Sequence, residues 1–469
     1  MVRKTKIVAT ISNKSCKPEF IETLYKAGMD IVRLNTAHMT HEDALEVINN
    51  TRQVSEKIAI LIDTKGPEIR TCRSDSPLYV QHGDIVRVKG DHTKKSHKDI
   101  LYVSYDNFVK DIPIGSSIMI DDGCIALAVM EKDKDHLYCY VENDGMIGEK
   151  KSVNIPSVHV KLPALSEKDI GFIKFAQDND IDFIAHSFVR NKEDVIAVQK
   201  ILDEKDNNIK IIAKIENSAG VENIDEILDH AYGIMVARGD LAVEIPTEKI
   251  PLIQKQIVKT CIERRSPVII ATQMLHSMIE SPRPTRAEVS DVANACLDHT
   301  DALMLSGETA NGKYPEEAVR TMANIAKEVE SKRSSFVDVP YVSDNKITAY
   351  LAKAAVKASL RLNTKAILAD SMTGRSIREL AAYRGDNPIF AQVYNKRTMR
   401  ELALSYGVYA NFLIRDNNLM FPFERVVLTL LKEKRFFSDD LVTVFGGHFG
   451  AKHGASYIEI ANAGAMMRL

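Results

Sequence analysis

The 469-residue chain carries almost no net charge: 62 Lys and Arg stand against 64 Asp and Glu, leaving −2 with histidine neutral. No global field therefore recruits nucleic acid or an anionic membrane, and any anionic ligand has to be drawn by local charge. Long apolar runs are missing too. The basic start Met1-Val-Arg-Lys-Thr-Lys-Ile-Val-Ala-Thr10 has no apolar stretch behind it of the kind a secretory leader needs, and no run reaches the length of a membrane-spanning helix. A cytoplasmic protein is expected. Cysteine is sparse and scattered: Cys16, Cys72, Cys124, Cys139, Cys261 and Cys296 form no C-x-x-C pair. That indicates neither a zinc site nor a disulfide framework, and the thiols read as reduced and mostly structural. No low-complexity tract is present. What remains, 45% apolar and 27% charged residues, is the composition of a soluble globular protein. The length exceeds one ordinary core, so two or three domains are expected.

Eight short apolar runs read as strands: Ile7 to Ile11, Ile31 to Leu34, Ile58 to Ile62, Asp182 to Val189, Ile209 to Ile215, Gly233 to Ala237, Val268 to Thr272 and Ala302 to Leu305. Helix-length segments with start and stop signals lie between most of them: Pro18 to Gly28, Glu42 to Glu56, Lys192 to Asp203, Ala219 to Leu228, Lys249 to Glu263, Thr285 to Leu297, and one opened by Pro315. Eight βα units at short, repeated spacing point to a closed (β/α)8 barrel rather than an open sheet. The spacing breaks once. After Asp63-Thr-Lys-Gly-Pro-Glu-Ile-Arg70 come short alternating runs separated by turns such as His82-Gly-Asp and Asp121-Asp-Gly, which read as a small antiparallel β unit. Sitting in a βα loop, it hangs over the catalytic end of the barrel as a lid. Past about Lys332 a linker leads to a third, α/β unit. The expected division is a barrel of residues 1–67 and 162–332, a lid of 68–161 and a C-terminal domain of 345–469.

Polar residues collect where the eight strands end: Arg33 and Asn35, Asp63 and Thr64, Ser187 and Arg190, Lys214 and Glu216, Arg238 and Asp240, Thr272 and Gln273, Ser306 and Glu308. Any one of them alone reads equally as a cap or a structural ion pair. Seven strands in a row ending this way favour an active site on the carboxyl face, where barrels keep their chemistry. Lys214 and Glu216 are two apart and share a strand face. Glu216 and Asp240 are hard oxygen ligands suited to Mg2+ or Mn2+, though one of them also serves to neutralise Lys214. Arg33, Lys65, Arg70 and Lys214 surround that centre with positive charge, which implies an anionic, phosphorylated substrate. Gly239 permits close backbone approach, and the amides after it suit a carboxylate. Thr272 is either a group that orients substrate or water, or an ordinary β-branched strand residue. His276 reads as a solvated loop histidine.

Several blocks in order then resemble the pyruvate kinase family along nearly the whole chain: Arg33-Leu-Asn35, Asp63 to Arg70, Ala213-Lys-Ile-Glu-Asn217, Ala237-Arg-Gly-Asp-Leu241, Ala271-Thr-Gln-Met-Leu275, Ser281-Pro-Arg-Pro-Thr-Arg-Ala-Glu-Val289 and Met304-Leu-Ser-Gly-Glu-Thr-Ala310. The resemblance implies a TIM barrel with an inserted small β-barrel lid and a C-terminal regulatory domain, acting in the last step of glycolysis, with phosphoenolpyruvate, pyruvate and ADP or ATP as ligands. By the same resemblance Lys214 is the cation on the migrating phosphoryl group, and Arg33 is a phosphate contact. Glu216 and Asp240 hold Mg2+ or Mn2+, and Gly239, Asp240 and Thr272 line the site for phosphoenolpyruvate. Arg70, His38 and Lys151 face nucleotide, and Thr272 with a bound water protonates the enolate. A homotetramer is implied as well.

The chain departs from the family at the K+ site. Where the family has Phe-Ser-His-Gly, this chain has Thr36-Ala37-His38-Met39, so the resemblance leaves Asn35, Asp63 and Thr64 as K+ ligands. Glu68 is the residue type of K+-dependent members, and K+ activation with weakened affinity is expected. Cys72, Ala242, Ser152 and Ser157 stand where glycine is usual and bear on lid geometry. Ser371-Met-Thr-Gly-Arg-Ser376 resembles the family's effector loop, making Ser371, Thr373, Gly374, Arg375 and Ser376 candidates for an effector phosphate. A plain helix cap fits the same residues. The closing loop Gly446-Gly-His-Phe-Gly-Ala-Lys-His-Gly454 does not match the family pattern. Two other classes fit parts of the chain: a metal-dependent 2-oxo-acid aldolase or lyase, which does not require the lid, Lys65 and the Lys214 block together, and a non-catalytic regulatory relative, prompted by Ala37 and Met39.

Overall fold

The computed structural model describes residues 2–156, 158, 160–205, 207–332, 336–340, 345–414, 423–447 and 454–467. Eight parallel strands close into a barrel: Lys6–Thr10, Ile31–Asn35, Ala59–Asp63, Phe183–His186, Lys210–Ile215, Gly233–Ala237, Val268–Ala271 and Ala302–Leu305. The last bonds to the first in register from Lys6 with Ala302 to Ala9 with Leu305. The runs are apolar throughout because both faces are covered. On one face Val8, Ile31, Leu61, Ala185, Ile212 and Met235 meet in the lumen; their neighbours Ile7, Val32, Ile60, Ile184, Ile211 and Val236 pack in the main core with the surrounding helices. Because side chains alternate, the residues two positions beyond the lumen set form its uppermost layer. They are Thr10, Arg33, Asp63, Ser187, Lys214 and Ala237, the last alone being apolar.

The helices have legible causes. Thr40 with Asp43, Ser166 with Asp169 and Thr285 with Glu288 form capping boxes at the starts of His41–Val54, Glu167–Asp178 and Arg286–Leu297, each satisfying amides the first turn leaves bare. Gly28, at φ +126°, ends Pro18–Ala27 with its amide on Leu24 and Tyr25 oxygens. The segment expected as one helix from Ala219 to Leu228 is two, Ser218–Glu222 and Ile224–Leu228. The break is at Asn223, whose side chain donates to the Arg190 carbonyl at 2.9 Å instead of facing solvent.

Between the third and fourth barrel strands lies the lid. It is a seven-stranded sheet in the order Ile69–Arg70, Ser152–Asn154, Ser117–Ile120, Ile125–Lys132, Leu137–Val141, Ile85–Gly90, Ile100–Val103, with a two-stranded ribbon of Gly145–Ile147 and Leu78–Val80. A single bridge, Thr71 with Val103, joins its two edges. It is not wholly antiparallel as the turns alone implied: Ile85–Gly90 and Ile100–Val103 run parallel, since the chain between them crosses over instead of turning back tightly.

The C-terminal unit is a five-stranded sheet ordered Val408–Phe412, Ile389–Val393, Ile367–Ser371, Leu441–Gly446, Tyr457–Asn462, parallel except for the last strand. The two outer strands are not evident in the sequence. Helix Lys396–Glu401 is followed by a single turn, Leu402–Leu404. Leu404 closes the lower end of the lumen cluster. Around it Arg384 pairs with Asp301 at 2.6 Å, Arg400 with Asp182 at 2.6 Å, and the Lys6 ammonium donates to the Val408 carbonyl at 2.5 Å. These contacts meet the amino-terminal ends of barrel strands, so this unit sits on the face opposite the clustered polar residues.

Candidate active site

The uppermost layer is tightly cross-linked. Arg33 donates from Nε to Asp63 at 2.7 Å and from a terminal nitrogen to the Thr10 hydroxyl at 2.9 Å. Lys214 Nζ reaches the other Asp63 oxygen at 3.0 Å, Ser187 Oγ at 2.8 Å and Glu216 at 3.0 Å. Burial works to raise the Asp63 carboxyl, but Arg33 and Lys214 outweigh it and hold the group below the usual carboxylate range. Burial likewise disfavours the Lys214 ammonium, yet Asp63 and Glu216 reverse this and raise it above the ordinary lysine value. Lys214 is therefore a permanent, desolvated cation aimed by three oxygens, and Ser187 is itself fixed by donating to the Thr64 carbonyl at 2.7 Å. Gly66, at φ +72°, allows the Asp63-to-Lys65 turn to lie against Ser187, where an added Cβ would come within 2.7 Å of the Ser187 side chain.

Glu216 and Asp240 stand beside the cation. Both carboxyls are pushed up, in each case first by burial; Lys214 draws both back down, and the charge of Asp240 adds to the rise at Glu216. Two crowded, desolvated hard oxygens of this kind suit a divalent cation, which removes the repulsion between them. Glu216 is aimed by the Phe188 amide at 2.7 Å, with Phe188 itself at φ +56°. Among the described residues no group of three or more His, Cys, Asp or Glu gathers at one point.

Thr272 is not a strand residue as its side chain alone implied. The strand stops at Ala271, and Thr272 and Gln273 take φ +70° and +54°. For a β-branched residue that conformation costs about 1–3 kcal/mol. It turns the Thr272 hydroxyl to accept the Gly239 amide at 2.8 Å. Gly239 and Asp240 lie in the first turn of Arg238–Glu244.

Beyond this layer a cleft of about 520 Å³ opens between barrel and lid, walled by Asn35, His38, Arg70, Asp122, Asp240 and Glu244 among others. Arg70 grips Glu68 with two nitrogens at 2.7 and 2.8 Å. Lys151 is turned to Asp121 at 2.9 Å and is not part of the cleft wall. Ser152, one of the replaced glycines, accepts the Asp122 amide at 2.9 Å and donates to its carboxylate at 2.7 Å, fixing a turn in which Asp121 and Asp122 both have φ +55°. Ser157 lies outside the described residues. Near the monovalent-cation candidates, Asn35 accepts the Ala37 amide at 3.2 Å and Lys168 donates to the Ala37 carbonyl at 3.1 Å. His276 is exposed, in the turn His276–Ile279.

The effector candidates belong to the distant C-terminal unit. Gly374, at φ +75°, donates its amide to Ser371 Oγ at 2.9 Å, and Ser376 Oγ reaches the same hydroxyl at 3.1 Å. The turn enters helix Arg375–Ala382, while Thr373 lies between the two serines. Residues 448–453 of the closing loop lie outside the described residues. The sequence assigns no role to Thr10, Phe188, Asp122 or Glu244. Thr10 is legible in hindsight from its place two beyond Val8; the others depend on backbone turns and on contact with the lid, which have no short sequence signal.

A family model described as "Pyruvate kinase, barrel domain" matches residues 2–319, and one described as "Pyruvate kinase, alpha/beta domain" matches 350–461. The chain is 48% identical over 464 residues to the pyruvate kinase of Borreliella burgdorferi, covering 97% of this chain and 96% of that protein. It is 41% identical over 456 residues to the pyruvate kinase of Staphylococcus aureus, covering 95% of this chain and 78% of that one. For the Staphylococcus epidermidis pyruvate kinase the figures are 40% over 458 residues, 95% and 78%.

Proposed function

The chain belongs to the pyruvate kinase family and is a phosphotransferase, and from that premise we propose how its residues move the phosphoryl group of phosphoenolpyruvate to ADP. The observation that carries this reading is the Lys214 ammonium, fixed by Asp63, Glu216 and Ser187 at distances of 2.8 to 3.0 Å. A phosphoryl group in flight spreads negative charge over its oxygens, and a preorganised cation in a desolvated site stabilises that charge without reorganising. Arg33 holds the phosphate from strand Ile31–Asn35, with two strands between it and that of Lys214. Gly239, Asp240 and Thr272 line the carboxylate and enolate end, and Thr272 with a bound water delivers the proton that turns the enolate into pyruvate. Arg70 and His38 face the nucleotide across the cleft, with Lys151 reaching it once released from Asp121.

The crowded oxygens of Glu216 and Asp240 fit Mg2+ or Mn2+, which would supply neutralising charge between enzyme and substrate oxygens. The oxygens of Asn35, Asp63 and Thr64 fit K+, and the absent hydroxyl at Ala37 makes that site poorer by one donor. The division into barrel 1–67 and 162–332, lid 68–161 and C-terminal domain 345–469 belongs to the same reading, as do a homotetramer, a cytoplasmic location and an effector phosphate at Ser371 to Ser376. Among the described residues no helix is long and apolar enough to cross a membrane.

The test is pyruvate formation from phosphoenolpyruvate with and without ADP in the presence of Mg2+. Turnover that requires ADP supports phosphoryl transfer. Pyruvate release independent of ADP returns the aldolase or lyase reading, and no turnover in either condition returns the regulatory one.

A further inference from the structure

Helix Arg286–Leu297 is tied twice to the loop that begins at Thr272. At the near end, Asp291 receives both terminal nitrogens of Arg238 at 2.7 Å, and one of those nitrogens also donates to the Thr272 carbonyl at 2.9 Å. At the far end, Glu288 accepts the Ser277 amide at 2.7 Å and its hydroxyl at 2.5 Å. Asp291 and Glu288 are three apart and share one face of the helix. Thr272, which the first tie holds, and Gln273 beside it are both left-handed.

A β-branched residue does not hold φ +70° on its own; it stays there only where surrounding contacts over-determine it. Two contacts do so here. The Gly239 amide fixes the Thr272 hydroxyl at 2.8 Å, and Arg238 fixes the carbonyl of the same residue. The second contact leans chiefly on Asp291, whose carboxylate takes both terminal nitrogens of the guanidinium at 2.7 Å, whereas Gln254 accepts from one of them only at 3.4 Å and the Met274 sulfur is a weak acceptor for the other. The hydroxyl position proposed to serve proton delivery is thus set from a helix that contributes no atom to the reaction.

We propose that Asp291 is a positioning residue: through Arg238 it locks Thr272 in its left-handed conformation and thereby sets the rate of proton transfer at the substrate carbon. This rests on the role given above to Thr272. It separates the two halves of the reaction, since phosphoryl transfer relies on Lys214 and the metal-side carboxylates, whereas proton transfer relies on the placement of Thr272.

The proton half is read alone by incubating the enzyme with pyruvate, ATP and Mg2+ in D2O and following the methyl signal. A methyl C–H bond breaks, its electron pair enters the enolate, the proton leaves to solvent and a deuteron returns to the same carbon. Asp291→Asn should slow this exchange by about tenfold, the scale of a small misplacement of a reacting group, while leaving the KM for ADP and the melting temperature near those of the parent. Asp291→Glu should restore most of the rate. Arg238→Lys, which keeps the charge but loses the fork, should slow exchange in the same selective way and stands in if Asp291→Asn does not fold. Unchanged exchange in the variants, or a loss matched by a rise in KM and a fall in melting temperature, overturns the proposal. Thr272→Ala distinguishes the two levels. If it exchanges normally, the role of Thr272 fails; if it is slow while Asp291→Asn is normal, only the clamp fails.

Discussion

Lys214 and Asp63 are 151 positions apart in the chain, yet ammonium and carboxylate meet at 3.0 Å. Arg33 takes the other oxygen of the same carboxylate at 2.7 Å. One buried acid therefore aims two cations at the mouth of the barrel and lets both keep their charge in a desolvated place.

Replacing Lys214 by Met should lower kcat by a hundredfold or more, the usual scale for loss of one preorganised charge, with the far-ultraviolet spectrum unchanged. Near-normal turnover of the folded variant would refute the role given to Lys214.

Asp63→Asn should leave the two cations facing each other without their shared counter-charge. Turnover should fall by roughly a hundredfold, with the KM for phosphoenolpyruvate raised because Arg33 loses its orientation. A variant whose KM and kcat both match the parent would contradict the shared-carboxylate arrangement.

Activity should rise with KCl in a buffer free of Na+, K+ and NH4+, and Ala37→Ser should shift half-activation to lower K+ by adding one oxygen donor. Rates fully independent of added K+ in that buffer would remove Asn35, Asp63 and Thr64 as a cation site.

Glu244, half-buried in the cleft wall, has its carboxyl pushed up to about 7 by burial, against the opposing hydrogen bond from Asn154. A folded-state value above the unfolded one means that its contribution to stability is complete below about pH 4.5 and is lost as pH rises through about 7. Glu244→Gln should flatten that part of the stability curve and be more stable than the parent at pH 8. Urea titrations at pH 5 and pH 8 measure it, and parallel losses in both proteins across this range would contradict it.

Arg384 and Asp301 are both buried where the C-terminal unit meets the barrel, 2.6 Å apart. Arg384→Met leaves Asp301 without its charge partner and should cost about 3–5 kcal/mol, read as a lower urea midpoint. An unchanged midpoint would show that the backbone amides of Val268 and Tyr406, which also reach Asp301, suffice for its charge.

Much of the site was legible because a strand has a period of two and a barrel has one lumen. Once Ile31, Leu61 and Ile212 are lumen residues, Arg33, Asp63 and Lys214 fall in the next layer up. Single turns were less legible. The Thr272 strand reading follows β-branched propensity, and tertiary contacts from Arg238 and Gly239 override it. The helix from Ala219 to Leu228 reads as continuous until the Asn223 side chain finds a carbonyl on another element. Outer strands such as Val408–Phe412 and Tyr457–Asn462 lie at the edges of their sheet, where one-sided pairing weakens the apolar pattern.

The sequence by itself determined the eight-unit barrel, the interruption after Arg70, the third α/β unit and the identity of the charged residues, because periodicity and punctuation are local properties of a chain. Tertiary structure alone decided how those charges act. It brought Asp63 between Arg33 and Lys214, crowded Glu216 against Asp240 out of water, turned Lys151 toward Asp121, and bent Thr272 to φ +70° under an arginine anchored on another helix. Desolvation, opposing charge and backbone strain all depend on which groups become neighbours, and only the folded chain sets that.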